Sequence, residues 1–405
     1  MPRDLTARTT PGAQLVALAE TLATELAPGA AVHDRHGTFP FDSFAAVKET
    51  GYLVAPVPAE LGGLGAGSIH DVVVAQSRLA RGDAALTLGV NMHFAYLLNV
   101  VRRWEIARAA GDERRTRAFG ETLEQIVDEG TVFAAATSEP GQDLTRPQTT
   151  ATRTADGWVV SGRKIFCTMS PAADVLYTAV TFADESGVLR YGYALVPRNT
   201  AGVVVHDDWD ALGMRASGSH TVSFHDVRLP HSALRGGFPA GDGVEYMDRV
   251  LYAGLLHAAA ALGVAEAADA DARGGLSRRK EVDPHALMLA AENVVDLSAC
   301  RAILSRAAAL IDVQAEQSPA APPGDDELTE LFAEAQSAKT FIGEAAVRIV
   351  DRALGLSGGA GYLSGSALGR AYRDVRATAF MHPLGANRAY AFLGNLAADR
   401  EPSLH

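Results

Sequence analysis

The chain reads as α+β, mainly α: an N-terminal helical domain (residues 1–130), a central antiparallel β domain (131–235) and a C-terminal four-helix bundle (236–405). Three observations predict it. Apolar residues recur at helical spacing up to about residue 130. Short β-prone runs separated by Gly, Pro, Asn and Asp then take over. From about residue 242 the helical period returns in long segments.

In the first domain, Pro11 sits where a first-turn proline belongs, and Leu15, Leu18, Leu22 and Leu26 follow at helical spacing. Ser68 to Asp71 reads as a capping box that opens a further helix. Between them, Glu60-Leu61-Gly62-Gly63-Leu64-Gly65 reads by itself as a flexible connector. In the middle domain the strand candidates are Trp158 to Val160, Val175 to Val180, Tyr191 to Val196, Val203 to Val205 and Thr221 to Phe224. In the last domain Leu287 to Gln314 and Leu328 to Leu356 read as helices. The run Ser318-Pro319-Ala320-Ala321-Pro322-Pro323-Gly324 breaks the chain between them.

Charge and composition remove several classes of function. A formal net charge of -12 without a basic block argues against nucleic acid as a partner, because phosphate binding needs clustered Lys and Arg. The two cysteines, Cys167 and Cys300, offer neither a disulfide framework nor a metal spacing, so no metal is expected and a reducing cytoplasm is. Met1 to Arg8 has no apolar run behind its charges, which predicts that it is not a signal peptide. The alanine-rich Ala253 to Ala268 comes nearest to a membrane span. His257 and Glu266 interrupt it, so it reads as a packed helix and no membrane partner is expected.

Four separated stretches carry the functional signal. They are Thr137-Ser138-Glu139-Pro140-Gly141-Gln142-Asp143, Gly157 to Thr168, Leu212-Gly213-Met214-Arg215-Ala216-Ser217-Gly218-Ser219, and Gly358-Gly359-Ala360-Gly361-Tyr362 followed by Arg370, Tyr372, Arg373 and Asp374. In order and spacing they resemble the landmarks of the acyl-CoA dehydrogenase superfamily, which also includes flavin monooxygenases. The connector Glu60 to Gly65 is similar to a segment that precedes a helix in that family. The resemblance implies a flavin cofactor, FAD or alternatively FMN, and sites shared between subunits of a homodimer or homotetramer.

A flavin needs an apolar wall, hydrogen-bond donors at its polar edge, and backbone close to its phosphates. Phe166 can supply the wall, and Ser138 and Thr168 the hydroxyls; the resemblance places all three at the flavin ring. Read alone, Phe166 would be a core strand residue and Thr168 a turn residue. Gly358, Gly359 and Gly361 lack Cβ, and in the family this segment lies against a neighbouring subunit's flavin. Arg279 falls about where a family arginine reaches the flavin diphosphate; by itself it reads equally as a solvated loop arginine.

The departures concern the reaction. The family's usual catalytic glutamate is replaced by His382, before Pro383. The alternative glutamate position, on an earlier helix, falls on Ala253, and Asp248 is five residues away from it. The Glu139 to Asp143 loop is two residues shorter than the family's form. His382 can be a base, a histidine beside an oxygen-reactive flavin, or a turn-holding residue. His93 either faces the same cavity or is a satisfied helix histidine. The favoured expectation is α,β-dehydrogenation of an acyl thioester or related carbonyl substrate, with His382 as base and an electron-transfer flavoprotein as acceptor. The alternative is a monooxygenase that takes reduced flavin from a flavin reductase and acts on a small molecule; an inactive flavin-binding subunit is a third reading.

Overall fold

A computed structural model describes residues 4–404 apart from Gln142 and Leu144. The first helix, α1 (Thr10–His36), starts where the sequence places it: Pro11 lies in its first turn and the Thr9 hydroxyl accepts from the Gly12 N–H at 3.0 Å. Leu15, Leu22 and Leu26 are buried, while Leu18 is half-buried at the edge of that stripe. α2 (Phe41–Glu49) follows, and then α3 (Ile69–Ala80), whose residues are all buried. Ser68 caps α3, but the reciprocal half of the expected capping box is not made. The Asp71 carboxylate accepts instead from Arg8 N–H at 2.8 Å, Thr9 N–H at 3.0 Å and the Thr9 hydroxyl at 2.7 Å. The orphan donors at the start of α3 go to Asp312, which accepts from the Ser68 hydroxyl, Ile69 N–H and His70 N–H. The Glu60 to Gly65 connector is a tight turn, not a free loop: a Cβ on Gly63 would lie 2.1 Å from the Val57 carbonyl oxygen. α4 (Ala84–Ala109) and α5 (Glu113–Glu129) complete the domain.

The sheet runs from β1 (Phe133–Ala136) to β8 (Leu234–Pro239), through β2 (Thr150–Thr154), β3 (Gly157–Cys167), β4 (Val175–Ala183), β5 (Leu189–Pro197), β6 (Val203–Val205) and β7 (His220–Leu229). Its order is β6-β7-β3-β2-β4-β5-β8, with β1 alongside β4. Most neighbours are antiparallel, but β1 pairs with β4 in parallel, and β2 touches β4 in parallel at Thr150. β8 carries the sheet to Pro239, past the boundary read from sequence, because Leu234-Arg235-Gly236-Gly237-Phe238-Pro239 has no β-branched residue to mark it. A core of Trp158, Val160, Leu176, Val180, Val222 and Phe224 fills one face.

After α6 (Gly243–Val250) come the long helices α7 (Ala253–Ser277), α8 (Pro284–Gln317) and α9 (Asp325–Ser357), completed by the short α10 (Ala367–Asp374) and α11 (Ala386–Ala397). The expected helices agree with α8 and α9 to within a turn. By length and composition, α1, α4 and the Gly243–Ser277 stretch are apolar enough to cross a membrane. For the latter two, 78% and 89% of the apolar window is buried inside the protein, so intramolecular packing accounts for their hydropathy.

Candidate active site

The site is assembled by pairing stretches that are distant in sequence. Glu139, in the first stretch, forms a buried ion pair with Lys164 of the second at 2.7 Å, and Ser138 carbonyl accepts from Ile165 N–H at 2.9 Å. Glu139 also accepts from Thr149 N–H at 2.8 Å and its hydroxyl at 2.6 Å, which fixes the loop that presents Ser138. The third and fourth stretches meet in the same way. Asp374 accepts from Met214 N–H at 2.6 Å, and a Cβ on Gly213 would lie 2.2 Å from the Arg373 carbonyl oxygen, so only glycine permits this approach. Arg373 in turn pairs with Asp34 of α1. Burial pushes the Asp374 carboxyl up to about 7.

Between these pairs lies a cavity of about 790 Å³, lined from all three domains. Ser138, Phe166 and Thr168 all line it, as do His382 and Ala253. Phe166 is 60% exposed, although it is the penultimate residue of β3, and stands edge-on to Trp209 with ring centroids 6.0 Å apart. The Thr168 hydroxyl shares a hydrogen bond with Ser219 at 2.8 Å, and Ser219 with Ser217 at 2.6 Å. Phe166, Met169 and Met214 have φ of 55°, 64° and 51°. Left-handed backbone costs a bulky residue roughly 1–2 kcal/mol, and two of these three, Phe166 and Met214, line the cavity. An aromatic wall held out of the core, a chain of hydroxyls and a rim carrying Arg373 and Arg376 suit a flavin ring system.

His382 stands over a buried polar layer. The buried Tyr246 hydroxyl donates to the Pro383 carbonyl at 3.0 Å and lies 3.3 Å from His382 Nε2. Lys339 of α9, 3% exposed, donates to the carbonyl oxygens of Met381 and, at 2.7 Å, Leu384. Burial holds the Lys339 ammonium down to about 7. Lost solvation, then the charges of Lys339 and Arg388, push His382 down to about 3. His257, one turn along α7 from Ala253, also lines the cavity; lost solvation, then Lys339 and His382, push it down to about 3. Both rings are therefore neutral at physiological pH.

A further part of the lining is cationic and aromatic. Arg249 lies over the rings of Tyr193 and Phe238, 4.8 Å and 4.6 Å from their centroids, with Tyr177 stacked on Tyr193 at 4.3 Å. Arg103 and Arg235 join it. Among the described residues five arginines line the cavity and no aspartate or glutamate does.

Other site residues expected from the sequence lie elsewhere. His93 is fully buried; its Nε2 lies 3.0 Å from the Leu53 carbonyl and its Nδ1 accepts from Phe133 N–H at 3.2 Å. Both ring nitrogens join α4 to its neighbours, so the cavity-facing reading of His93 is corrected. Arg279 donates to the Leu356 carbonyl at 2.7 Å, just before Gly358, and neither it nor Gly358, Gly359 and Gly361 lines the cavity. A Cβ on Gly358 or Gly359 would meet nothing within 4 Å, although the φ of 66° at Gly358 itself calls for glycine. Asp248 does not line the cavity but pairs with Arg102 at 2.6 Å and with Arg103 at 3.3 Å, and Glu245 pairs with Arg249 at 2.7 Å, so two of the lining arginines have carboxylate partners just behind them. Gln142, in the shortened loop, lies outside the described residues. His257, Lys339, Trp209 and the arginine cluster were not found by sequence reasoning. His257 was visible only as a polar interruption in an apolar helix.

Fold and site together define a flavin-dependent oxidoreductase. Residues 14–115, 133–227 and 241–387 match the N-terminal, middle and C-terminal domains of acyl-CoA dehydrogenases. The chain is 33% identical to L-evernosamine nitrososynthase of a Micromonospora species, over 98% of this chain and 94% of that protein. It is 35% identical to an amino sugar nitrososynthase of Streptomyces rubradiris, over 94% and 89%. Among solved structures, KijD3 in complex with FMN and dTDP-3-amino-2,3,6-trideoxy-4-keto-3-methyl-D-glucose superposes with a TM-score of 0.88 at 32% identity, covering 98% of this chain and 96% of that one. This chain belongs to the acyl-CoA dehydrogenase family, and its cofactor is a flavin, with FAD and FMN both fitting.

Proposed function

We propose that the protein oxygenates the nitrogen of an amino sugar carried on a nucleoside diphosphate, using reduced flavin supplied by a separate reductase. One observation carries this reading: both family positions for a catalytic carboxylate, now Ala253 and His382, face a cavity that has arginines and no carboxylate. A thioester α-proton needs a competent base, and an imidazole held at about 3 is a poor one. The likeness to amino sugar nitrososynthases over nearly the whole chain supports the same conclusion.

Reduced flavin and O2 supply the oxidising oxygen. The balance is RNH2 + O2 + FMNH2 → RNHOH + H2O + FMN, and a second round takes RNHOH to RNO with two waters released. The chain's own residues do the rest. Arg103, Arg235 and Arg249 attract the phosphates, Phe166 and Trp209 form the flavin wall, and Ser138 and Thr168 offer hydroxyls to its polar edge. In the same reading Arg279 and the Gly358 to Gly361 segment complete the flavin site of a second copy in a dimer or tetramer.

The test is to reduce the flavin-loaded protein anaerobically, mix it with air-saturated buffer and follow the flavin spectrum. A transient distinct from reduced and oxidised flavin, followed by hydroxylamine or nitroso product from an amino-sugar nucleotide, is expected. A second reading, acyl-thioester dehydrogenation with electron-transfer flavoprotein, draws on the retained Gly358 to Tyr362 segment. Anaerobic bleaching of the oxidised flavin by an acyl-CoA would establish it and overturn the first.

A further inference from the structure

The turn that carries His382 is pinned at three carbonyls. Lys339 donates to those of Met381 and Leu384, and the Tyr246 hydroxyl donates to that of Pro383 at 3.0 Å. Tyr246, on α6, is 2% exposed and stands edge-on to the His382 ring, with centroids 5.7 Å apart. A phenol has one proton to give. With that proton on Pro383, the 3.3 Å contact between the Tyr246 oxygen and His382 Nε2 is a hydrogen bond only if Nε2 carries a proton and donates it. The other ring nitrogen, Nδ1, then holds a free lone pair. Among the described residues the contact with Tyr246 is the ring's one hydrogen bond. Unlike Nδ1 of His257, Nδ1 of His382 is not a buried atom, and His382 lines the cavity. The charged and titratable groups around the ring are Tyr246 from α6, His257 from α7, Lys339 from α9 and Arg388 from α11.

We propose that Tyr246 is a positioning residue: it holds His382 in the tautomer with the proton on Nε2, so that Nδ1 offers an uncharged acceptor to an N–H or O–H of the molecule bound in the cavity. The tautomer is independent of the reaction; its use on an amine N–H rests on the amine-oxygenating reading above. There the charge of the acceptor matters. A nitrogen can form an N–O bond only with its lone pair free. A carboxylate within about 4–6 Å would favour the ammonium form, raising its pKa by ~1–3. A neutral imidazole holds an amine by its N–H without charging it. The tautomer matters equally. With the proton on Nδ1 the ring would present a donor, and that donor would occupy the lone pair that has to react. Tyr246 removes this alternative by taking the proton on the far side of the ring.

The test uses the flavin-loaded protein with nitrogen-15 in its histidine rings. Solid-state nitrogen spectra at neutral pH are compared with those of His382→Leu, whose missing signals identify His382. Nε2 should be protonated and Nδ1 bare. A protonated Nδ1 overturns the assignment, and so does an Nε2 signal that Tyr246→Phe leaves unmoved. Calorimetry then measures dTDP-3-amino-2,3,6-trideoxy-4-keto-3-methyl-D-glucose and dTDP alone on the wild type, Tyr246→Phe, His382→Leu and the double variant, with thermal midpoints to verify folding. Tyr246→Phe should weaken the amino sugar about fivefold and leave dTDP unchanged. In the His382→Leu background it should cost nothing further, because Tyr246 acts through the ring. Unchanged amino-sugar affinity in Tyr246→Phe, or losses that add in the double variant, overturns the positioning role. Should the wild type bind neither nucleotide, the nucleotide-sugar reading falls, and the spectra alone decide Tyr246. Should Tyr246→Phe not fold, the wild-type spectrum decides.

Discussion

Replacing Lys339 by Met tests the buried layer under His382 directly. In the folded protein the Lys339 ammonium is surrounded by carbonyls and neutral rings, and among the described residues it makes no ion pair. Its ordinary value of 10.5 falls to about 7. At about 1.36 kcal/mol per unit, carrying the charge inside costs the native state roughly 5 kcal/mol. Below pH 7 both native and unfolded chains hold the proton, and the whole penalty is present. Between 7 and 10.5 the native amine sheds its proton while the unfolded chain keeps it, so stability rises with pH across that window. From pH 7 to 9 the gain is roughly 2 kcal/mol, or a few degrees in melting temperature. Lys339→Met removes this dependence but leaves the Met381 and Leu384 carbonyls without their donor, at about 1–3 kcal/mol each. The two proteins should therefore melt close together at pH 6 and diverge by pH 9, the Met variant lower. Melting curves at four pH values suffice, and parallel pH profiles for the two proteins would refute the reasoning.

Phe166→Gly should relieve about 1–2 kcal/mol of left-handed strain while weakening flavin binding about tenfold. Melting without flavin and a flavin fluorescence titration separate the two effects, and equal flavin affinity would remove Phe166 from the wall. Lys164→Met strands the buried Glu139 carboxylate and should cost about 3–5 kcal/mol, read from denaturant unfolding. His93→Leu loses two buried hydrogen bonds, at about 1–3 kcal/mol each, and should lower the melting temperature without changing flavin affinity. Ala253→Glu returns a carboxylate to the cavity; it should slow amine oxygenation at neutral pH and move the pH–rate profile up by about one unit or more. An unmoved profile would count against the electrostatic account of the amine.

The fold was legible because its signals are local. The change of period near residue 130, its return near 242 and the prolines at 319, 322 and 323 each reflect one segment's own chemistry. β1, β2 and β8 escaped because Phe133 to Ala136 is nearly all alanine, and Arg153 and Gly236 dilute the other two. At the site, Ser138, Phe166, Thr168 and His382 were found through the resemblance to the acyl-CoA dehydrogenase superfamily, and all four line the cavity. His93 was misplaced because a histidine on a helix does not reveal which face it occupies. The arginine cluster could not be read, since Arg103, Arg235 and Arg249 come from three elements and only the fold brings them to one cavity. Charge at a site is a sum over the neighbours, and sequence order hides the neighbours.

That sum bears on what this cavity can do. Its shape is fixed by the Glu139–Lys164 pair under Ser138, the Gly213 approach to Arg373, and left-handed backbone at Phe166, Met169 and Met214. These fix shape, and they would serve a dehydrogenase or an oxygenase equally. Charge is what the two reactions would use differently. With Ala253 and His382 in the carboxylate positions, no aspartate or glutamate lines the cavity among the described residues. On the proposed reading it keeps a nitrogen neutral beside the flavin while arginines hold an anionic carrier. On that reading the reaction changes by removing the one catalytic carboxylate that the family places at either of these positions, and restoring one at residue 253 should move the chemistry back measurably.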